Sequence, residues 1–175
     1  MALRVVVDAC VGKEASEANL PRSRNSRLVL SELLKQRIPV DFTPEVEREW
    51  NKHASIFSIK WRYQMVTRKL IVRGKDKQSS LLRKKIQSSL PDPYDVAALL
   101  KDVHLLEIGL SQGSGIISSD DRSGRLAKVM ADSYAPLARV QWVSPHKPEG
   151  TCLGWVEGKI ADADIGRLGS NDAAS

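Results

Sequence analysis

Only two cysteines occur among the 175 residues, Cys10 and Cys152, and neither sits in a CxxC pair or a Cys/His ligand spacing. That argues against a disulfide framework and against a structural zinc site, and leaves both as reduced thiols. No apolar run approaches the roughly 18 residues that cross a bilayer, and the first apolar stretch is too short and wrongly flanked for a signal peptide. No membrane partner is therefore expected, and the expected compartment is the cytoplasm. No internal repeat is present. Two phosphate-loop lookalikes fail on context: Gly158-Lys159 is followed by Ile160 and preceded too closely by Gly154, and Gly109, Gly113 and Gly115 follow a helix rather than a strand.

Acidic residues are scarce in one place. Between Lys60 and Lys85 there are ten basic residues and one acid, Asp76, so that segment carries +9 while the whole chain carries +6. A basic segment on a slightly acidic body is the electrostatic footprint of a phosphate-backbone contact, although a solvated helix surface has the same composition. The rest of the composition, 42% hydrophobic and 27% charged, is that of an ordinary globular protein and names no function. The length suits one domain with a full core.

Val5-Val6-Val7 is β-branched and reads as a strand buried on both faces, which belongs in a helix-covered parallel sheet. It ends on Asp8, where an open α/β sheet binds its ligands. A polar stretch from Gly12 to Arg27 precedes a helix marked by Leu28, Val29, Leu30, Leu33 and Leu34. Pro39 closes that helix before a second strand at residues 40–42. Thr43 and Pro44 supply the cap and first residue of another helix. On it Val46, Trp50 and His53 share a face, Glu49 borders that face at about 60° from Val46, and Glu47 points away.

Residues 56–90 read as a helical hairpin around Gly74. Ile56, Ile59, Tyr63, Val66 and Leu70 mark its first helix, and Leu81, Leu82, Ile86 and Leu90 its second. A further helix is expected from about 95 to 111, with Leu99, Val103, Leu106 and Leu110 as its buried stripe and Asp102 at the stripe's edge. His104 and Glu107 should point elsewhere, His104 as a surface or satisfied histidine. Residues 115–118 form a third strand that leads into Ser119-Asp120-Asp121. A helix over 124–134 precedes a fourth strand at 140–143. Beyond Pro148 the Gly, Ala, Asp and Ser content predicts a weakly structured tail, 149–175, of which only Trp155-Val156 would dock back onto the domain.

Placing the third strand on the free side of the first gives a switch point between them, with Asp8 and Asp120 side by side and Glu49 and Asp102 able to border the same crevice. Carboxylates about 4 Å apart repel by roughly 4 kcal/mol at an effective dielectric near 20, so such a cluster calls for protons or cations. All-oxygen donors suit Mg²⁺ or Mn²⁺.

At these residues the chain resembles the PIN-domain nucleases, including the VapC-like ribonuclease toxins. The resemblance covers about residues 3–145. It rests on Asp8, on Thr43 six residues before Glu49, on the eighteen residues from Asp102 to Asp120, and on Ser118 two before Asp120. It departs at Ala9, where the family more often has Thr or Ser, in the long hairpin, and in the tail. The resemblance implies a PIN-like α/β three-layer sandwich over residues 1–148, with a four- to five-stranded, mainly parallel sheet and a helical hairpin insertion. It implies Asp8, Glu49, Asp102 and Asp120 as catalytic residues and ligands of Mg²⁺ or Mn²⁺, with Ser118 and Asp121 in support. Asp121 also competes with Asp120 for the fourth position, which the spacing awards to Asp120. The implied activity is metal-dependent hydrolysis of single-stranded RNA. Arg68, Lys69, Arg73 and Lys75 would hold its backbone, and a cognate antitoxin and a second copy of the chain are the protein partners in view.

Two other readings compete. A PIN-like module could bind RNA or a protein without cleaving. An aspartyl phosphatase would use Asp8 as nucleophile, but the second aspartate it needs two residues later is Cys10.

Overall fold

The computed structural model describes residues 3–161 and 165–169. Five short strands, β1 (Val5–Val7), β2 (Val40–Phe42), β3 (Ile71–Arg73), β4 (Gly115–Ile117) and β5 (Trp142–Val143), form one sheet in the order β3-β2-β1-β4-β5. Every pairing is parallel. The fold is thus the α/β sandwich with a parallel sheet that the sequence leads one to expect, and its order reverses between β1 and β4. The three central strands β2, β1 and β4 are wholly buried, which is why β1 and β4 are unbroken apolar runs and why the one charge in them, Asp41 of β2, is paired.

Helices cover the sheet. After β1 come α1 (Ala9–Glu14) and α2 (Pro21–Lys35); after β2, α3 (Pro44–His53) and α4 (Ile56–Thr67). After β3 come α5 (Ser80–Ser89), α6 (Pro93–Lys101) and α7 (Val103–Gln112), and after β4 comes α8 (Asp121–Ser133). One packed group joins α2 to α4 and to α9 (Thr151–Val156); another joins α5, α6 and α8, with α7 lying on β1 and β4.

Four local expectations are corrected. The polar stretch after β1 is mostly helical: α1 follows Asp8 directly and α2 begins at Pro21. The hairpin over 56–90 is instead two helices separated by the edge strand β3. Ile71-Val72 is β-branched and pairs along Val40-Asp41, a partner that local periodicity does not reveal. On α4, the stripe Ile56, Ile59, Tyr63 and Val66 faces outward, Tyr63 being 74% exposed. Trp61 and Met65 take the core side, where the Trp61 indole stacks on Trp50 at 5.5 Å and donates to the carbonyl of Leu30 at 2.6 Å. A buried tryptophan needs both a large slot and an acceptor, and meeting that need rotates the helix. Past residue 148 the chain is not weakly structured among the described residues. Trp155 of α9 lies on Gly115 so closely that a Cβ there would collide with the indole, Ile165 and Leu168 are buried, and Gln141 bridges Arg167 antiparallel.

One buried carboxylate belongs to the scaffold. Asp41, in the middle of β2, accepts from Arg4 Nε at 2.8 Å, pairs with Arg4 Nη2 and accepts from Ser114 Oγ. These partners tie β2 to the chain entering β1 and to the residue before β4. Removing the guanidinium strands a carboxylate inside the protein, which costs about 3–5 kcal/mol for a fully buried pair. Because the Arg4 side chain is partly exposed, Arg4→Met is expected to cost about 2 kcal/mol in urea denaturation. A loss below a few tenths would show that water replaces the guanidinium.

Candidate functional site

The parallel register brings the carboxyl ends of β1 and β4 together, and the backbone N–H of Asp8 continues the ladder by donating to the carbonyl of Ile117 at 2.9 Å. Asp8 then caps α1, accepting from the Cys10 N–H at 3.2 Å. Its Oδ2 accepts from Ser118 Oγ at 2.7 Å and from the Cys10 thiol at 2.9 Å. Ser118 is fully buried and also accepts from the N–H of Asp120 at 3.1 Å. One hydroxyl thereby fixes both strand-end acids.

Asp120 caps α8 by accepting from the N–H of Ser123 at 2.9 Å. The hydroxyl of the same Ser123 donates to Asp102 Oδ2 at 2.7 Å. Asp102 is buried and stands at a break: the helix expected over 95–111 is two, α6 and α7, with Asp102 between them at φ −101° and ψ 7°. That is the sparsely populated bridge region, in which active-site residues are often found. The break resets the helical phase, which corrects the expectation for the next residues. His104 and Glu107 are both buried, and α7 is enclosed on nearly all sides from Val103 to Gly109.

Burial pushes the Asp102 carboxyl above the ordinary aspartate range; the Ser123 hydrogen bond opposes this, and the negative charges of Asp8 and Asp120 add to it. Lys101 Nζ lies 3.5 Å from Asp102 Oδ1. Its ammonium is held above its usual pKa by Asp102 first, and by Asp120 and Asp8 as well. Asp8, Asp102 and Asp120 therefore share one electrostatic neighbourhood, with Lys101 at its rim.

Glu49 is engaged differently. His104 Nε2 is 3.6 Å from its Oε2, and Arg48 Nη2 is 3.9 Å from its Oε1. Asp121 is exposed at the start of α8 and faces Lys147 at 3.6 Å, so the inner acid of the Asp120/Asp121 pair is Asp120. Arg73 pairs with Glu47 at 2.9 Å. Lys75, like Arg73, is at the end of the sheet that carries the acids. Arg68 and Lys69 precede β3 and so lie at the opposite, amino end of the sheet, level with the entry to β1.

No family model, curated protein or solved structure matches this chain. The chemistry of the site must therefore be judged from its own side chains. Oxygen donors from three aspartates, repelling one another in a buried setting, fit a hard divalent ion. The Cys10 thiol lies against Asp8, and burial and that neighbouring carboxylate push its pKa far up. Among the described residues, no three of His, Cys, Asp and Glu stand together as a ready-made ligand set. Binding an ion would require the aspartates to exchange Ser, Cys and Lys partners for it.

Cys10, Lys101, Ser119 and Ser123 belong to this neighbourhood and escape sequence reasoning. Ser119 Oγ donates to Cys10 Sγ at 3.0 Å. Of the four, only Ser123 had a usable signal, three residues after a helix-capping aspartate, where a polar side chain lies at the same helix mouth.

Beside the acids, Glu14 at the end of α1 is held by His146 Nε2 at 2.8 Å and Arg22 Nη2 at 2.9 Å. Burial raises its pKa, but the hydrogen bonds from His146, Arg22 and Ser119 and the charge of Arg22 together outweigh burial and set it below the ordinary 4.5. A carboxyl depressed on folding contributes stability above its unfolded pKa and loses it as the pH falls through the folded value. Arg22→Met should therefore lower thermal stability at pH 6 and flatten its decline below pH 4.5. A decline as steep as that of the parent would contradict this assignment.

Proposed function

We propose that this protein is a divalent-metal-dependent ribonuclease that hydrolyses phosphodiester bonds of single-stranded RNA. The observation that carries the reading is the convergence of Asp8, Asp102 and Asp120 at the β1/β4 switch point, cross-linked by Ser118 and Ser123. Asp8, Asp102 and Asp120 are the residues that would hold Mg²⁺ or Mn²⁺, with Glu49, whose Oε2 is 3.6 Å from His104, as the fourth candidate. The ion would lower the pKa of a bound water and neutralise charge on the phosphate oxygens. The chain's own part is to orient. Ser118 aligns Asp8 with Asp120, Ser123 aligns Asp120 with Asp102, and the buried setting strengthens every charge interaction among them.

Purified protein is expected to cut single-stranded RNA with Mg²⁺ or Mn²⁺ and to stop when the metal is chelated. Metal-independent cutting, or none on any RNA or DNA substrate, would overturn the proposal. A second reading, a non-cleaving module for RNA or a protein, draws on the partnership of Glu49 with His104 and on the need for the aspartates to shed partners. RNA binding without turnover in the same assay favours it. A cognate antitoxin and self-association are proposed alongside. Co-purification with the product of an adjacent gene and sedimentation of the purified chain address them in turn.

A further inference from the structure

Next to Lys101 a polar cleft of about 200 Å³ opens between the start of α3, the segment after β3, α5 and α7. Lys101 belongs to both places: it lines the cleft, and its Nζ is 3.5 Å from Asp102. Its side chain is 69% exposed, so the ammonium is free to follow a ligand across the boundary. The cleft walls carry Lys77, Gln78, Arg83 and His104.

Arg83 is set in place before any ligand arrives. Its Nε and Nη2 each donate to the buried Glu107 at 2.9 Å, and the N–H of Ser79 donates to Glu107 at 2.7 Å. That fork leaves Nη1 and the second proton on Nη2 as donors. Of the three acids in the wall, Glu107 and Glu45 are paired with arginines, whereas the exposed Asp76 has, among the described residues, only a backbone N–H as partner and keeps its charge. Glu107 serves Arg83, Glu45 binds Arg48 Nε at 3.0 Å, and Asp76 accepts from the N–H of Glu45 at 3.3 Å. Lys77 and Gln78 are exposed.

We infer that this cleft is the subsite for the nucleotide adjoining the scissile bond of single-stranded RNA, with Lys77 and Lys101 on its phosphate and Gln78 and Arg83 on its base. The inference rests on the ribonuclease reading of the neighbouring acids and adds the path of the strand. A wall holding only cations would suit a backbone. One that combines ammonium groups with an amide and a fixed guanidinium matches a nucleotide, whose base edge carries donors and acceptors and whose face stacks on a guanidinium plane. The cleft also lies at the end of the sheet that carries the acids. Arg68 and Lys69 do not, so the part of the basic segment that meets substrate is its second half.

The test uses full-length Asp8→Asn protein and fluorescently labelled single-stranded oligoribonucleotides, with anisotropy read over a salt series. Adding Lys77→Met and Gln78→Ala is expected to weaken binding about tenfold and to lower the slope of log affinity against log salt by about 0.7 for one lost phosphate contact. In the otherwise unchanged enzyme the same pair should raise KM by about tenfold with kcat within about twofold. Arg68→Ala with Lys69→Ala should change neither quantity. Unaltered affinity and KM in the Lys77/Gln78 variant would overturn the subsite, as would an equal loss in the Arg68/Lys69 variant. If the parent cuts no RNA yet Asp8→Asn binds it through Lys77, the catalytic reading fails, and with it the assignment to a scissile bond, while the cleft is retained as an RNA-binding site. If no RNA binds, the subsite fails.

Discussion

Asp8→Asn and Asp120→Asn are each expected to lower RNA cleavage by roughly 10³-fold, the scale on which an enzyme loses a group that stabilises developing charge. The substitution is nearly isosteric, so its effect is chiefly electrostatic. Each removes one negative charge from a neighbourhood in which Asp8, Asp102 and Asp120 act on one another and on Lys101. In Asp120→Asn the one carbonyl oxygen of the new amide would still accept the capping bond from the N–H of Ser123. Position 8 is more demanding, because the two carboxylate oxygens of Asp8 together accept from the Cys10 N–H, the Cys10 thiol and the Ser118 hydroxyl. An amide has one acceptor for those donors, so some loss of stability accompanies the loss of activity there. Circular dichroism and a urea titration separate the two. Ser118→Ala should be milder, about 10- to 100-fold, as for a residue that orients a ligand without being one. Full activity in both aspartate variants would remove Asp8 and Asp120 from the mechanism.

Trp50→Ala is expected to cost about 3–5 kcal/mol, the range for emptying a large aromatic site in a packed core, out of a total stability that seldom exceeds about 15. Trp50 is wholly buried, stacks on Trp61 at 5.5 Å and tilts against Phe42 at 5.4 Å. Its indole N–H donates to the carbonyl of Val7 at 2.9 Å, one residue before Asp8. Gly12 of α1 presses against the same ring so closely that a Cβ there would meet it at 2.9 Å. One side chain therefore fixes α1 and α3 to the end of β1, and with them the position of Asp8 relative to Glu49. Trp50→Phe keeps most of the volume and loses the hydrogen bond, so it should cost about 1–3 kcal/mol, mainly by leaving a buried carbonyl unpaired. Urea midpoints of both variants check the order, and equal costs would assign the whole effect to the hydrogen bond.

Which helices and strands were legible followed from how local their causes are. Val5-Val6-Val7 announces a buried parallel strand by itself, and Thr43-Pro44 announces a helix start, because chirality, capping and β-branching act within a few residues. Residues 71–73 did not announce a strand. An edge strand exists only through its neighbour, and Ile71-Val72 between basic residues resembles the end of a helix until β2 is alongside. The stripe on α4 misleads for a related reason. Periodicity identifies a helix and an apolar face, but the competition between that face and the one bearing Trp61 and Met65 was decided by the slot beside Trp50 and Leu30.

The chain's order of acids, the strand ending at Asp8, the strand ending near Asp120 and the eighteen-residue interval from Asp102 are properties of the sequence alone. They suffice to bring Asp8 and Asp120 to one switch point, because parallel strands joined by right-handed crossovers leave their carboxyl ends on one edge of the sheet. Tertiary structure decided the rest. It broke a continuous helical pattern at Asp102, where a buried carboxylate found its hydrogen bond on another helix, at Ser123, and that break turned His104 toward Glu49 and Glu107 toward Arg83. It sent Arg68 and Lys69 to the far end of β3 while keeping Lys101 beside the acids and Lys77 in the cleft that Lys101 also lines. Net charge is a sum over sequence, whereas the field at a site depends on distance, and distance is set by the packing of segments far apart in the chain.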